Sequence, residues 1–222
     1  MVENKGKLVL GLDEAGKGPV IGSLFIAGAL FEEKDIPKLK KIGVKDSKLL
    51  THKRRLELET QIKRLAKKYK IIKVSPQEID HAIDGGTGLN LNWLEAHKTA
   101  QIINELNPDK VILDCPSPNI EKYKNYVKKL LKNKDVELVV EHHAEKFEPV
   151  GAASILAKCA REEEVEQLKR KYGNIGPGYT SNEVTQRFIK ENYDKYPEIF
   201  RKSWSTWKNH NNSQAQKKLD EF

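Results

Sequence analysis

The stretch LVLGLDE (residues 8–14), then AGKGP (15–19), then VIGSLFIAGALF (20–31), decides the fold class. Its outer parts are apolar runs of strand length, and the glycine-rich middle is unsuited to any regular element. Two neighbouring strands joined by a turn are therefore expected at the start of the chain. Further on, Leu58, Ile62, Leu65, Ala66 and Tyr69 recur at three- and four-residue steps with Lys and Arg between them, which predicts an amphipathic helix over 51–69 with a basic outer face. A strand follows at 70–74. Ser75, Pro76 and Glu78 then spell a helix start, with a capping serine, a proline in the first helical position and a glutamate three residues beyond the cap. A helix over 91–106 stops at Asn107-Pro108. KVILD (110–114) and VELVV (136–140) read as strands on either side of a lysine-rich helix over 120–131. A long helix over 149–172 is apolar and small-residue-rich at GAASILA, then charged, and one more helix is expected at 183–193. Strands alternating with helices after an initial strand pair define an α/β domain with a mixed central sheet flanked by helices, over which a helical C-terminal part packs.

The chain has 222 residues, 38% of them apolar, enough to bury a substantial core as one domain or one domain with an appended lobe. The expected organisation is an α/β domain over 1–172 and a helical lobe with a polar tail over 173–222, packed as part of one globular unit. No apolar run is long enough to span a membrane, and the first residues lack the apolar core of a secretory signal. Cys115 and Cys159 stand far apart without metal-ligand spacing, which predicts buried free thiols in a reducing cytoplasm. Net charge is +8, and residues 34–73 alone hold fifteen Lys/Arg against four Asp/Glu. That local excess of +11 implies an anionic partner such as nucleic acid, or a solvated basic face.

Asp13 and Glu14 end the first apolar strand just before the glycine turn, and Asp114 ends another. Strand ends that meet loops are where α/β folds place their active sites. If the two strands are neighbours, three carboxylates converge, and their repulsion calls for a cation or for retained protons. Oxygen-only ligation of this kind suits Mg²⁺ or Mn²⁺. Successive strand residues point to opposite faces, so Asp13 and Glu14 share a site only if the backbone kinks, which Gly16 and Gly18 would permit. The same residues match G-x-x-x-x-G-K, but Gly18 stands where a phosphate loop needs Ser or Thr, and Pro19 with a strand-like run stands where it needs a helix. A phosphate-binding loop is excluded on both counts.

GLDEAGKGPVIG (11–22), GVKDSKLL (43–50), ILDCP (112–116), EHHAEKFEPVGAASILAK (141–158), GPGYTSN (176–182) and RKSWSTW (201–207) resemble, in that order, the signature segments of type 2 ribonucleases H, most closely archaeal ribonuclease HII. No added N-terminal domain precedes them, which favours type 2 over type 3. The resemblance implies a ribonuclease H-like fold. It also implies a metal-dependent endoribonuclease that cuts the RNA strand of RNA/DNA hybrids and incises duplex DNA 5′ of embedded ribonucleotides, leaving 5′-phosphate and 3′-hydroxyl ends. By the same resemblance Asp13, Glu14, Asp114 and Glu145 are catalytic residues that bind two Mg²⁺ or Mn²⁺ ions. The family pattern at the last of these is H-K-A-D, whereas this chain has His142-His143-Ala144-Glu145, one methylene longer at the carboxylate. His142 and His143 read as hydrogen-bonding residues near the sheet edge rather than as ligands.

Gly16, Lys17, Gly18 and Tyr179 match the residues with which the family contacts the ribose 2′-hydroxyl, the group that distinguishes RNA from DNA. Lys45, Ser47, Lys48, Ser154, Lys158 and Arg161 match phosphate contacts, and Ser154 and Lys158 share a helix face. GAASILA is expected to be core, and Trp204 and Trp207 to anchor the C-terminal lobe. The closing QKKLDEF (216–222) looks like a sliding-clamp motif with Gln216, Leu219 and Phe222 as its anchors. The implied protein is a cytoplasmic, monomeric enzyme of DNA replication and repair that contacts no membrane. Its rival is a catalytically silent nucleic-acid-binding protein of the same fold, in which Glu145 marks a lost metal site.

Overall fold

The computed structural model describes residues 6–44, 50–86 and 88–209. Its sheet has five strands in the order β3-β2-β1-β4-β5. They are β1 (Leu8–Ala15), β2 (Leu24–Glu32), β3 (Lys68–Val74), β4 (Lys110–Asp114) and β5 (Glu137–Glu141). β1 pairs antiparallel with β2 from Leu8↔Glu32 to Ala15↔Phe25. On its other side β1 runs parallel to β4 as far as Leu12↔Leu113, and β4 runs parallel to β5 as far as Asp114↔Glu141. The sheet is thus mixed, as the sequence implies, and β1 is one of its central strands.

The helices are α1 (Ile36–Ile42), α2 (His52–Leu65), α3 (Pro76–Asp84), α4 (Leu91–Leu106), α5 (Ile120–Leu130), α6 (Glu148–Tyr172) and α7 (Glu183–Asn192). Side chains fix where several begin. Thr51 accepts from Arg54 N–H, Ser75 from Glu78 N–H, Asn119 from Lys122 N–H and Asn182 from Thr185 N–H. Each such cap contributes about 1 kcal/mol. α2 stops four residues short of the expected end because Lys67 N–H donates to Leu30 C=O at 2.8 Å, which commits the chain to the sheet.

The chain forms two compact units. The first comprises Met1–Ala15, Phe25–Lys73 and Asn92–Ala160, and holds the sheet. On one face, Ala15, Ala27, Ala29 and Phe31 pack with Leu39, Leu58 and Ile62 of α1 and α2 and with Ala152, Ile155 and Leu156 of α6. On the other, Leu10, Leu12 and Ile102 of α4 close over Gly28. GAASILA is core as expected: Ala152, Ala153, Ile155, Leu156 and Ala157 are completely buried. Cys115 and Cys159 are buried and not joined in a disulfide.

The second unit comprises Gly16–Leu24, Val74–Leu91 and Arg161–Phe222. Val20, Ile21, Val165, Ile175, Phe188, Ile189 and Phe200 form its core, against which Trp204 and Trp207 pack. This core corrects the strand expected over 20–31, which begins only at Leu24. Val20 N–H donates to Gly178 C=O at 2.9 Å and Arg201 N–H to Val20 C=O at 2.8 Å, so Val20 and Ile21 are apolar for the second core rather than for the sheet. No helix among the described residues is long and apolar enough to cross a membrane.

Candidate active site

Asp13 and Asp114 each follow directly on the last paired residues, Leu12 and Leu113, of two adjacent parallel strands. Val9 and Ile112 share one apolar cluster with Val150 of α6. Side chains alternate along a strand, so Asp13 and Asp114 project on that same α6 side at the carboxyl end of the sheet. Asp13 accepts a hydrogen bond from the Ser154 hydroxyl and, at 2.7 Å, from Glu14 N–H. The Asp114 Oδ1 accepts from Ala144 N–H at 2.8 Å. That bond pins the loop after β5, in which His143 takes a left-handed conformation (φ 58°), and it places Glu145 one residue beyond a backbone atom held by Asp114. The Glu145 side chain is only 12% exposed, with His143 Nδ1 at 4.0 Å.

Glu14 sits differently. The β1–β2 ladder stays regular through Asp13↔Ala27, Glu14↔Ile26 and Ala15↔Phe25, so the kink that would bring Glu14 round is not made. Alternation turns it toward α4 and α5, where its charge is felt by the buried Tyr123 beside the buried Glu95. It still acts electrostatically on Asp13, as does Asp114.

Burial pushes the Asp13 carboxyl up to about 7, and the charges of Glu14 and Asp114 add to the rise while its two hydrogen-bond donors oppose it. Among the described residues, no three His, Cys, Asp or Glu side chains are drawn together closely enough to hold an ion as they stand. The donor set nevertheless fits a hard divalent cation: it is all oxygen, and it carries negative charge that only a proton or a cation can offset. Asp13, Asp114 and Glu145 on one side of the sheet, with Glu14 at its end, are the residues that would hold Mg²⁺ or Mn²⁺.

The raised Asp13 pKa has a cost for folding. The unfolded carboxyl ionises near 3.8 and the folded one near 7, so the stability Asp13 contributes below pH 3.8 is lost progressively up to pH 7. The ceiling is about 4 kcal/mol, and partial exposure of the group reduces it to ~2 kcal/mol. Asp13→Asn is therefore expected to raise the melting temperature by several degrees at pH 8 in chelator. The gain should shrink steadily toward pH 4. Thermal unfolding across that range checks it, and a gain that is absent at pH 8 or larger at pH 5 refutes the assignment.

Gly16, Lys17, Gly18, Tyr179 and Arg161 belong to the second unit. Gly16, at φ +87°, leaves no room for a side chain, since a Cβ would lie 2.8 Å from Ser23 C=O. Gly18 is exposed, and a Cβ there would lie 3.5 Å from the Tyr179 ring. Tyr179 is 37% exposed. The Arg161 guanidinium stacks on its ring with Cζ 5.0 Å from the centroid, and donates to Pro177 C=O at 2.6 Å. Arg161 thus ties α6 to the Tyr179 loop. Gly18 and the Tyr179 ring, both exposed, leave backbone there that a sugar can approach closely.

One expected placement differs, and six of the expected residues fall outside the described ones. Ser154, read as a phosphate contact, is buried with its hydroxyl on Asp13, and so orients a carboxylate. Lys158, one helical turn on, is half-buried. Lys45, Ser47, Lys48, Gln216, Leu219 and Phe222 lie outside the described residues. Sequence reasoning passed over Glu141, which pairs with Asp114 across β4–β5 and bonds Lys146 at 2.5 Å. Its signal was present, because it ends an apolar strand as Asp13 and Asp114 do. Arg201, inside the quoted RKSWSTW, was also passed over, and it is completely buried.

A mixed sheet of this order, with aspartates ending neighbouring parallel strands, is the framework of an α/β nuclease of the ribonuclease H kind. The model of the family Ribonuclease HII matches residues 10–207. A Ribonuclease HII of Thermofilum pendens is 43% identical over 208 residues, covering 90% of this chain and 97% of that one. Among solved structures, ribonuclease H2 of Pyrococcus horikoshii OT3 superposes with a TM-score of 0.83 at 38% identity, covering 91% of this chain and 96% of the other. Ribonuclease HII of Archaeoglobus fulgidus, solved as a complex with PCNA, superposes at 0.79 with 36% identity, covering 89% and 95%. A Bst-RNase HIII in complex with Mn²⁺, 22% identical, shares the fold with a TM-score of 0.75 over 92% of this chain and 70% of its own. The chain belongs to the ribonuclease HII family, and is by that membership a type 2 ribonuclease H, an endoribonuclease that hydrolyses phosphodiester bonds.

Proposed function

We propose that the protein cuts the RNA strand of RNA/DNA hybrids and incises duplex DNA 5′ of embedded ribonucleotides, with Mg²⁺ or Mn²⁺, leaving 5′-phosphate and 3′-hydroxyl ends. The observation that carries this reading is the row at the carboxyl end of the sheet, in which Asp13 and Asp114 end adjacent parallel strands and Asp114 holds the backbone beside Glu145. Two bound divalent ions would lower the pKa of the attacking water and stabilise charge on the leaving 3′ oxygen.

The chain's own residues supply orientation. Ser154 and Glu14 N–H hold the Asp13 carboxylate in place, and Ala144 N–H holds that of Asp114. The backbone of Gly16, Lys17 and Gly18 meets the ribose 2′-hydroxyl, while Tyr179 stacks against the neighbouring sugar. Lys158 and Arg161, with Lys45, Ser47 and Lys48, contact phosphates, which position the duplex and make affinity fall with salt without reading base sequence. Glu145, with its extra methylene, serves as the fourth carboxylate. The Archaeoglobus fulgidus relative was solved with PCNA. A clamp contact through Gln216, Leu219 and Phe222 extends the reading to replication and repair.

Cleavage of an end-labelled duplex carrying one ribonucleotide, beside an all-DNA control, tests the function. Wild type and Glu145→Asp are both expected to incise on the 5′ side of the ribonucleotide with Mg²⁺ or Mn²⁺ and to leave the control intact, with no product in chelator. No incision by either protein under any metal would replace the enzyme by a silent nucleic-acid binder. Rescue by Glu145→Asp alone would identify Glu145 as the defect in an otherwise competent site.

A further inference from the structure

Arg201 is completely buried, yet the fold gives its charge no directly bonded carboxylate among the described residues. Its donors go instead to backbone: Nη2 to Gly16 C=O at 2.5 Å, Nη1 to Lys17 C=O at 2.8 Å and Nε to Gly22 C=O at 2.9 Å. Trp204, on whose ring the guanidinium lies with Cζ 4.8 Å from the centroid, donates from Nε1 to Gly18 C=O at 3.2 Å. Three successive carbonyls, at 16, 17 and 18, are therefore drawn to one side by two side chains of one short segment. Glu164 supplies the nearby negative charge, and is itself held by Ser23 through its N–H at 2.8 Å and its hydroxyl at 2.6 Å. Burial brings the Arg201 pKa down to about 10, so it keeps its proton at neutral pH.

This arrangement dictates where the donors of the turn point. In a trans peptide the C=O of one residue and the N–H of the next lie in one plane and point in opposite directions across the C–N bond. Tying back Gly16 C=O turns Lys17 N–H outward, and tying back Lys17 C=O turns Gly18 N–H outward. Tying back Gly18 C=O exposes no third donor, because the next residue is Pro19. The Lys17 and Gly18 N–H groups are thereby turned to the side away from Arg201 and next to one another, a short donor pair of the kind that can receive an oxygen.

We propose that Arg201, assisted by Trp204, is the positioning residue that sets ribose selectivity, by holding the carbonyls of Gly16, Lys17 and Gly18 inward so that the Lys17 and Gly18 N–H groups face the 2′-hydroxyl. The inference rests on the reading of this turn as the ribose contact. It adds a residue that touches neither sugar nor metal and acts through the backbone alone. A merely structural Arg201 would weaken all nucleic-acid binding together, whereas a positioning Arg201 changes one ratio.

That ratio is the affinity for a duplex with one ribonucleotide over the same duplex made entirely of DNA, measured by anisotropy in chelator, where no cleavage occurs. Arg201→Gln is expected to lower it roughly tenfold while all-DNA affinity stays within about twofold. Arg201→Lys, which keeps the charge but not the fork, should recover part of the ratio. Trp204→Phe, losing one donor and keeping the ring, should lower it about two- to threefold with an unchanged melting temperature. A folded Arg201→Gln with the wild-type ratio, or with both affinities reduced in parallel, overturns the inference. If Arg201→Gln does not fold, a wild-type ratio in Trp204→Phe overturns it instead. Wild-type protein that binds both duplexes equally would remove the ribose reading of the turn, and the inference with it; incision by that same protein would show the enzymatic reading to survive.

Discussion

Asp114→Asn is expected to reduce incision by roughly a thousandfold or more, about 4 kcal/mol of transition-state stabilisation, while duplex affinity holds or rises. The substitution is nearly isosteric, and an Asn Oδ1 can still accept from Ala144 N–H, the contact Asp114 makes at 2.8 Å. The loop that carries Glu145 keeps its place, and what is lost is one negative charge at the end of β4. Lysines and arginines supply most of the affinity for phosphate, so removing a carboxylate that repels phosphate does not weaken binding. Single-turnover cleavage and anisotropy on the same preparation separate the two effects. A wild-type cleavage rate would take Asp114 out of the site, and a parallel loss of affinity would mean that the substitution had disturbed the fold.

Gly11→Ala should give the largest loss of stability. A Cβ at Gly11 would lie 2.0 Å from both the carbonyl carbon and the oxygen of Pro149, and 2.5 Å from Val150 N, all of them backbone atoms that cannot rotate away. β1 cannot retreat either, because Gly11 is paired with Ala29 on one side and Ile112 on the other. The expected cost is about 4 kcal/mol or more, and the melting temperature should fall by at least ~10 °C. Gly28→Ala is the graded control. Its Cβ would meet Ile102 Cγ2 at 2.6 Å, a side-chain methyl that can move, and the loss should stay near 1–2 kcal/mol. Equal melting temperatures for the two variants would contradict this account. The close approach also bears on the site, since α6 seats on β1 at Gly11. Two residues along the strand (about 6.6 Å) and four along the helix from Val150 (about 6 Å) then bring Ser154 to Asp13.

The strands and helices were legible because each buries one face: alternation along β1 and the three- and four-residue steps of α2 are written in residue types. The limits of β2 were not, since Val20 and Ile21 are as apolar as the sheet residues but serve the second core. Strand periodicity foresaw the difficulty with Glu14, and the regular ladder through Ala15 leaves it on the opposite side from Asp13. Ser154 read as a surface contact because helix spacing alone does not say which face is buried. The hold of Asp114 on Ala144 N–H depends on a left-handed His143, a conformation that no local pattern announces. Arg201 was hidden for a related reason: a lone basic residue reads as solvated, and only the folded chain shows its fork gathering carbonyls from residues far away in sequence.

The central claim is that Asp13 and Asp114 form one cation-binding row at the end of the sheet. Calorimetric titration of Mn²⁺ into wild type and into the Asp13→Asn/Asp114→Asn pair at neutral pH measures it directly. The account predicts saturable uptake by wild type that weakens at least roughly tenfold in the double variant, as expected when charged oxygen ligands of a hard cation are removed. Uptake that is the same in both proteins would contradict it.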